Sequence, residues 1–184
     1  MTEFTKDRQF WTLGGPYHHE FEYMNQHLDF GPGSYHTVDI NKFKRPTSDL
    51  PNNTAVITYP NTDFWDTWKQ WGSVGAISYD STQTMISTTK NGEFDQSRKI
   101  IQLAKLVEFA LQNSPAISVH TNWMINYANF SDPIKNKSLL EQEFPKWIQK
   151  FAGRFDNCKI FDSQIERMET SATYMVDMHF HVWN

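Results

Sequence analysis

Cysteine is almost absent from this sequence, which carries only Cys158 among its 184 residues. A single thiol excludes a disulfide within the chain and the cysteine-rich zinc sites of finger domains. We interpret Cys158 as a small core residue, because no neighbouring residue indicates an activated thiol. The sequence therefore favours a reducing setting, either in the cytoplasm or in an assembly formed inside a host cell.

Long apolar runs and basic clusters are also lacking. No stretch approaches the ~20 apolar residues of a transmembrane helix, and residues 1–9 lack the apolar core of a signal peptide. The net charge is −4, with one short basic run at residues 42–45. A nucleic-acid partner needs many cations against its phosphates and is not expected. We predict protein partners, in a homo-oligomer or a larger assembly, and no contact with a membrane.

The linear signatures of several enzyme classes are missing. The chain has no Gly-x-x-x-x-Gly-Lys-Ser/Thr loop, no Gly-x-Gly-x-x-Gly and no Gly-x-Ser-x-Gly elbow. We therefore predict a non-enzymatic structural protein that acts through protein contacts in an oligomeric complex, for example as a viral or phage virion component. A monomeric inhibitor or immunity-type binding protein is one alternative, since acidic charge and a Trp-rich helix suit that role.

Aromatic residues are plentiful, at 15% of the chain, which argues against disorder. Residues 1–53 show no helical period and are interrupted by glycine and proline. They are predicted as an irregular N-terminal extension that packs on a neighbouring subunit, or as ordinary hairpins that join the sheet. Aromatic side chains anchor protein interfaces. The residues predicted to contact a partner are Phe10, Trp11, Tyr17, Phe21, Tyr23, Trp65 and Trp68.

Residues 54–184 have regular hydrophobic periodicity and are predicted as an α+β domain. Helical spacing indicates helices over residues 61–72, 93–112 and 138–153. Extended patterns indicate strands over residues 10–13, 20–24, 35–40, 55–59, 74–79, 84–89, 116–127, 159–168 and 171–183. A hairpin is expected to join residues 74–79 to 84–89. This order predicts an α+β fold with a mixed, mostly antiparallel sheet packed by about three helices.

The last predicted strand supplies the most specific candidate site. Alternation places Asp177, His179 and His181 on one face, and His120 joins them if the polar face of its strand is adjacent. Imidazoles with a carboxylate and an open position form a zinc or iron ligand set. A metal-dependent enzyme with Zn or Fe on this His-x-His site is the other alternative function. In the remaining hypotheses no cofactor is expected, and these residues form the solvated face of a sheet.

A second candidate pair is His27 and Asp29. Their spacing matches two of the three ligands of iron oxygenases. Those folds place several strands before the pair, and the segment that precedes His27 here is short and irregular. The C-terminal set is therefore the preferred metal site.

Overall fold

The computed structural model describes residues 7–88, 94–96, 98–126, 153, 155–167 and 173–184. The described strands are β1 (Gln9–Thr12), β2 (Tyr35–Asp39), β3 (Val56–Pro60), β4 (Val74–Thr88), β5 (Phe94–Gln96), β6 (Ala116–Asn126), β7 (Cys158–Arg167) and β8 (Thr173–Trp183). The described helices are α1 (His19–Asn25) and α2 (Arg98–Leu111), with 3-10 helices at Thr47–Asp49, Asn53–Ala55 and Phe64–Gln70.

The strands form one sheet in the order β3-β2-β1-β4-β6-β8-β7, and β5 pairs with the outer half of β4. Pairing is parallel from β3 through β6, while β8, β7 and β5 pair antiparallel. From β1 the chain winds outward through β2 to β3, and it then returns to β4 on the other side of β1. The carboxyl ends of β1 and β4 therefore flank a topological switch point, where open α/β sheets form a crevice.

This topology overturns the predicted α+β fold with its mostly antiparallel sheet. The sheet is mixed but mostly parallel, as in α/β proteins. The predicted hairpin over residues 74–79 and 84–89 is the single strand β4. The predicted irregular extension contributes β1 and β2 to the same sheet as the rest of the chain. Strand direction depends on which distant strands pair, and hydrophobic periodicity carries no information on that direction.

Both faces of β1 are covered, although this strand has only four residues. On one face Phe10 stacks on Tyr35 with ring centroids 5.1 Å apart. On the other face Trp11 stacks on His36 and on Trp71. A strand that is buried on both faces typically reads as a continuous apolar run. Only Phe10 and Trp11 of the four β1 residues are apolar, so the local sequence indicates a strand here but does not indicate its central position.

The larger apolar core lies between α2 and one face of the sheet. Leu103 and Val107 of α2 are fully buried, whereas Lys105 and Glu108 lie on its exposed side, as expected of an amphipathic helix. We call the sheet face against α2 the α2 face. Its buried strand residues include Trp11, Ile77, Tyr79, Ile117, Val119, Met178, Phe180 and Val182. We call the opposite face, on which Phe21 of α1 packs beside Phe10, the α1 face.

Local predictions were most accurate in the second half of the chain. The predicted strands over 116–127, 159–168 and 171–183 correspond closely to β6, β7 and β8, and the helix over 93–112 corresponds to α2. The predicted strand over 20–24 is instead helix α1, and the helix over 61–72 is the 3-10 helix Phe64–Gln70. The predicted helix over 138–153 lies almost entirely outside the described residues. Within the described part, no helix is long and apolar enough to cross a bilayer.

Candidate functional site

A row of polar side chains crosses five neighbouring strands on the α1 face. The strand register pairs Thr37 with Thr12, Thr12 with Ser78, Ser78 with His120, and His120 with His179. We call these five residues the polar row. It is level with the carboxyl end of β1 and passes across the switch point between β1 and β4. Ligands of open α/β sheets bind at this point in the topology.

Glu20 of α1 joins the two sides of the switch point. Its carboxyl group accepts hydrogen bonds from the hydroxyl groups of Thr12 on β1 and Ser78 on β4. Burial raises the pKa of Glu20, although both hydroxyl groups favour the charged form. An enclosed carboxyl with a perturbed pKa inside a cleft is a typical feature of a functional site.

His120 extends the polar row to Asp177. The Nδ1 atom of His120 lies 3.2 Å from the Ser78 hydroxyl oxygen, and its Nε2 atom lies 2.7 Å from Oδ1 of Asp177. The ring of His179 stands edge-on to that of His120, with centroids 4.3 Å apart. His120, Asp177 and His179 place one potential ligand atom each within 4.8 Å of one another.

A further carboxylate, Asp80, lies near this group. It follows Ser78 by two residues on β4 and pairs in register with Asn122 of β6. Burial raises the pKa of Asp80, nearby His120 opposes this shift, and the charge of Asp177 adds to it. The far end of the polar row therefore concentrates negative charge around two imidazoles.

A cleft of about 350 Å³ opens between α1 and the sheet, beside the polar row. Its lining combines an apolar wall with a polar floor: Phe10, Glu20, Tyr23, Met24, Ala76, Ile77, Ser78, Ser118, His120 and His179. Small-molecule sites have this size and this mixture of apolar walls with a few convergent polar groups.

The turn after β1 passes too close to β2 for a side chain. A Cβ atom on Gly14 would lie 2.7 Å from the Thr37 hydroxyl oxygen. Gly15 has a φ of 65°, a left-handed conformation that favours glycine. At the end of β2, Asp39 uses one carboxylate oxygen to accept the Asn41 backbone N–H at 2.8 Å. A glycine turn after the first strand and a carboxylate after the second match the nucleotide-binding end of doubly wound folds.

A second cleft, of about 450 Å³, borders the carboxyl ends of β2 and β3. It is lined by His18, residues 42–48, Thr58 and Pro60. The buried ring of His18 stacks on Phe43 at 4.5 Å, and its Nε2 atom lies 3.2 Å from the Arg45 carbonyl oxygen. Burial lowers the pKa of His18, which favours the neutral form of its ring.

Three of the aromatic residues predicted to contact a partner lie in the core instead. Phe10, Trp11 and Phe21 are each at most 1% exposed. The structure therefore corrects this assignment, because these side chains pack against the sheet and helices of their own chain and present no surface to a partner. Large aromatic area is equally suited to a core and to an interface, and composition does not separate the two.

The other four aromatic residues in that set are accessible to different degrees. Tyr17, Tyr23 and Trp68 are 44%, 64% and 41% exposed. Trp65 is partly buried, and its ring lies 4.6 Å from that of Tyr79. A partner contact through these residues stays a prediction.

The structure brings together three of the four predicted metal ligands. His120, Asp177 and His179 form one group, whereas His181 lies further along β8, opposite Ser118. Among the described residues, His27 and Asp29 belong to no group of three potential ligands. Burial raises the pKa of Cys158 to about 11, which agrees with the interpretation of this thiol as unreactive.

Sequence reasoning missed Glu20, Ser78 and Asp39. For Asp39 a signal was present. Gly14 and Gly15 directly follow the predicted strand over residues 10–13, and Asp39 lies in the predicted strand over residues 35–40, which corresponds to β2. For Glu20 and Ser78 no local signal exists, since α1 and β4 bring together two residues that lie far apart in the sequence.

Comparison with known proteins relates this architecture to solved structures alone. No family model matches the chain, and no curated protein matches it. A fibrillarin/Nop5p complex matches 96% of this chain and 72% of its own, with 16% identity and a TM-score of 0.53. The N-methyltransferase NodS from Bradyrhizobium japonicum WM9 matches 99% of this chain and 92% of its own, with 6% identity and a TM-score of 0.50. Trm5b from Pyrococcus abyssi matches 99% and 47%, with 10% identity and a TM-score of 0.51.

The chain has the class I methyltransferase α/β fold. This finding overturns the predicted function. The prediction of a non-enzymatic structural or virion protein rested on the absence of linear motifs, and it is wrong. The fold also does not support either alternative function. These were a metal-dependent enzyme built on a His-x-His site and an inhibitor or immunity-type binder.

Proposed function

We propose that this chain is a methyltransferase that uses S-adenosylmethionine. One observation carries the proposal: within a class I methyltransferase fold, the tight Gly14-Gly15 turn and Asp39 stand at the carboxyl ends of β1 and β2, next to the switch point. Ligand position in open α/β sheets follows the topology, so this end of the sheet is the expected cofactor site.

The residues at this end fit a nucleoside. Gly14 has no side chain, and Gly15 adopts a left-handed backbone conformation. The backbone of the turn can therefore approach a ligand closely. The second carboxylate oxygen of Asp39 has no partner among the described residues and is available to ribose hydroxyl groups. The adjoining cleft between His18 and Thr58 offers room for a base.

Two features depart from the usual dinucleotide-binding end. The turn has a pair of glycines in place of the three-glycine signature. The following helix, α1, has only seven residues and begins at His18 without a side-chain cap. Fewer oriented backbone amides are therefore available to the ligand, and we expect Asp39 to carry a large share of the affinity.

S-adenosylmethionine supplies an activated methyl group on a sulfonium centre, and the protein supplies binding and orientation. Glu20 has a positioning role in this scheme. Its hydrogen bonds to Thr12 and Ser78 hold α1 against both β1 and β4, and this fixes the turn between β1 and α1. The exposed aromatic residues Tyr17, just before this helix, and Tyr23, on it, are candidates for contact with an acceptor or a protein partner. An intracellular location stays a prediction.

The proposal is tested by isothermal titration of the whole chain with S-adenosylhomocysteine, the demethylated product. We expect one equivalent to bind. Asp39→Asn should weaken binding by roughly 10- to 100-fold, because a hydrogen bond to a charged group contributes about 1.5–3 kcal/mol. Asp49→Asn is the matched control, since Asp49 is exposed and lies on the same β2–β3 connection.

Absence of binding by the folded wild-type chain would refute the proposal. Equal affinities of the Asp39→Asn and Asp49→Asn variants would refute the assignment of Asp39. If both expectations are met, transfer of a labelled methyl group to candidate acceptors follows as the assay of activity.

A further inference from the structure

The antiparallel pairing of β6 with β8 brings three ligand-type side chains to one place. His120 is opposite His179, and Asp177 is opposite Asn122, one alternation step along. Residues two apart on a strand share a face, so Asp177 and His179 stand on the α1 face with His120. The ligand atoms of the three side chains lie within 4.8 Å of one another. Two paired strands form a rigid support for such a group.

The composition of this group matches a metal-ligand set. Two imidazoles and one carboxylate leave coordination positions open on zinc or on another first-row dication. Zinc bonds to nitrogen and oxygen are about 2.0–2.2 Å long, so neighbouring ligand atoms are roughly 3.3 Å apart. The observed group therefore needs side-chain adjustments of only about 1–2 Å to close on an ion.

The second nitrogen of His120 has the outer partner that metal-binding histidines use. Nδ1 lies 3.2 Å from the Ser78 hydroxyl oxygen, and the Ser78 hydroxyl bonds to the Glu20 carboxyl. With the proton on Nδ1, His120 donates to Ser78, and Ser78 donates to Glu20. The lone pair on Nε2 then faces Oδ1 of Asp177 at 2.7 Å. A cation between these two atoms can take the place of the proton that otherwise joins them in a hydrogen bond. An outer hydrogen bond that fixes the tautomer is characteristic of metal-binding histidines.

An ion can reach this group from solvent. The side chains of His120 and Asp177 are 30% and 46% exposed. His120 and His179 also line the cleft of about 350 Å³ beside α1. Asp80 adds negative charge close to His120 and Asp177. The site is accessible, and its electrostatic surroundings favour a cation.

We propose that His120, Asp177 and His179 bind one zinc-type transition-metal dication with an open coordination position toward the cleft. The site is separate from the glycine turn and from Asp39, and it does not depend on the proposed methyl transfer. His181 is not a ligand, although it shares a strand and a face with His179.

The test is titration of the chelator-treated whole chain with Zn²⁺, followed by calorimetry, and with Co²⁺, followed by visible absorption. We expect one equivalent of Zn²⁺ per chain and a Co²⁺ spectrum of an ion bound to nitrogen and oxygen. Loss of an outer-shell partner weakens metal binding by roughly 10- to 100-fold. His120→Ala and His179→Ala each remove a direct ligand and should weaken Zn²⁺ binding by at least this much. His181→Ala is the matched control and should leave the affinity unchanged.

Three results would overturn the proposal. These are absence of stoichiometric Zn²⁺ binding, unaltered binding in the His179→Ala variant, or an equal loss in the His181→Ala variant. Circular dichroism identifies a variant that fails to fold, and His179→Gln then replaces it. Ser78→Ala provides a further check, with an expected loss of about 10-fold.

The metal site and the proposed function can fail separately. Zn²⁺ binding without S-adenosylhomocysteine binding supports the metal site and refutes the methyltransferase. S-adenosylhomocysteine binding without Zn²⁺ binding supports the methyltransferase and refutes the metal site. The Asp39→Asn variant should retain full Zn²⁺ affinity, because Asp39 lies beyond β1 on the other side of the sheet order.

Discussion

The two faces of β4, β6 and β8 are formed by the same three strands, yet one face is apolar and the other is polar. On β8, Phe180 and Val182 are fully buried on the α2 face, whereas His179 and His181 on the α1 face are partly exposed. The α2 face is an aromatic and aliphatic core, and the α1 face carries the polar row. Stability and chemistry are therefore assigned to opposite sides of the same strands.

The helices that cover the two faces differ in the same way. Helix α2 has 14 residues and buries a full apolar stripe, while α1 has seven and buries only Phe21. Among the described residues, α1 is thus too short to cover the polar row, and the cleft beside it stays open. A short helix next to a switch point is a direct way for a fold to expose part of its sheet.

The comparison is tested most strongly by two adjacent residues of β8. Phe180→Ala should lower the free energy of unfolding by about 3–5 kcal/mol, because it leaves a cavity in the α2-face core. His181→Ala, on the other face, should cost less than about 1 kcal/mol. Denaturant unfolding of both variants measures the difference. Similar losses of unfolding free energy would contradict the assignment of stability to the α2 face.

A smaller effect is expected from His36, a titratable ring on the α2 face. It stacks on Trp11, its Nδ1 atom lies 2.9 Å from the Tyr59 hydroxyl oxygen, and burial lowers its pKa to about 4. The unfolded chain takes up this proton below about pH 6.5 and the folded chain does so only near pH 4. Stability from this group is therefore present above pH 6.5 and falls by about 1.4 kcal/mol per pH unit between the two values.

Replacement of the ring removes this dependence. The stability of His36→Gln should fall less steeply with acidification than that of the wild type, even if the variant is less stable at pH 7. His27→Gln is the control, because His27 is exposed. Unfolding curves at pH 7, 6, 5 and 4 give the slopes, and identical slopes for wild type and His36→Gln would contradict the assignment.

The smallest effects are expected from two carboxyl groups on α1. Burial raises the pKa of Glu20, so its ionisation disfavours the folded state once the pH exceeds the ordinary value for the unfolded chain. A 2.7 Å ion pair with Arg45 lowers the pKa of Glu22, so its contribution is present at neutral pH and is lost on acidification.

The two conservative variants should therefore respond to pH in opposite directions. Relative to wild type, Glu20→Gln should gain melting temperature as the pH rises from 4 to 8, and Glu22→Gln should lose it. A change of 1 kcal/mol corresponds to roughly 2–4 °C in a chain of this size. Thermal melts across this range decide the matter, and parallel trends would contradict the different environments of the two groups.

Much of the local structure could be predicted, since it depends on patterns within single elements. The alternation that places Phe180 and His179 on opposite faces of β8 was evident, and so was the apolar stripe of α2. The turn at Gly14 was recognised as a break but not as part of a candidate cofactor site. The hairpin predicted around Asp80 was wrong, because polar residues near a switch point resemble a turn when the adjoining strand is unknown.

The sequence by itself determined which side chains share a face of β8 and of α2, and it limited the candidate metal ligands to a small histidine and aspartate set. Only the tertiary structure decided strand order, strand direction and register. Those three properties align Thr12, Ser78, His120 and His179 across four strands and bring Glu20 onto them. The physical reason is that periodicity is a local property of the chain, whereas pairing between distant strands is decided by the free energy of the assembled sheet as a whole.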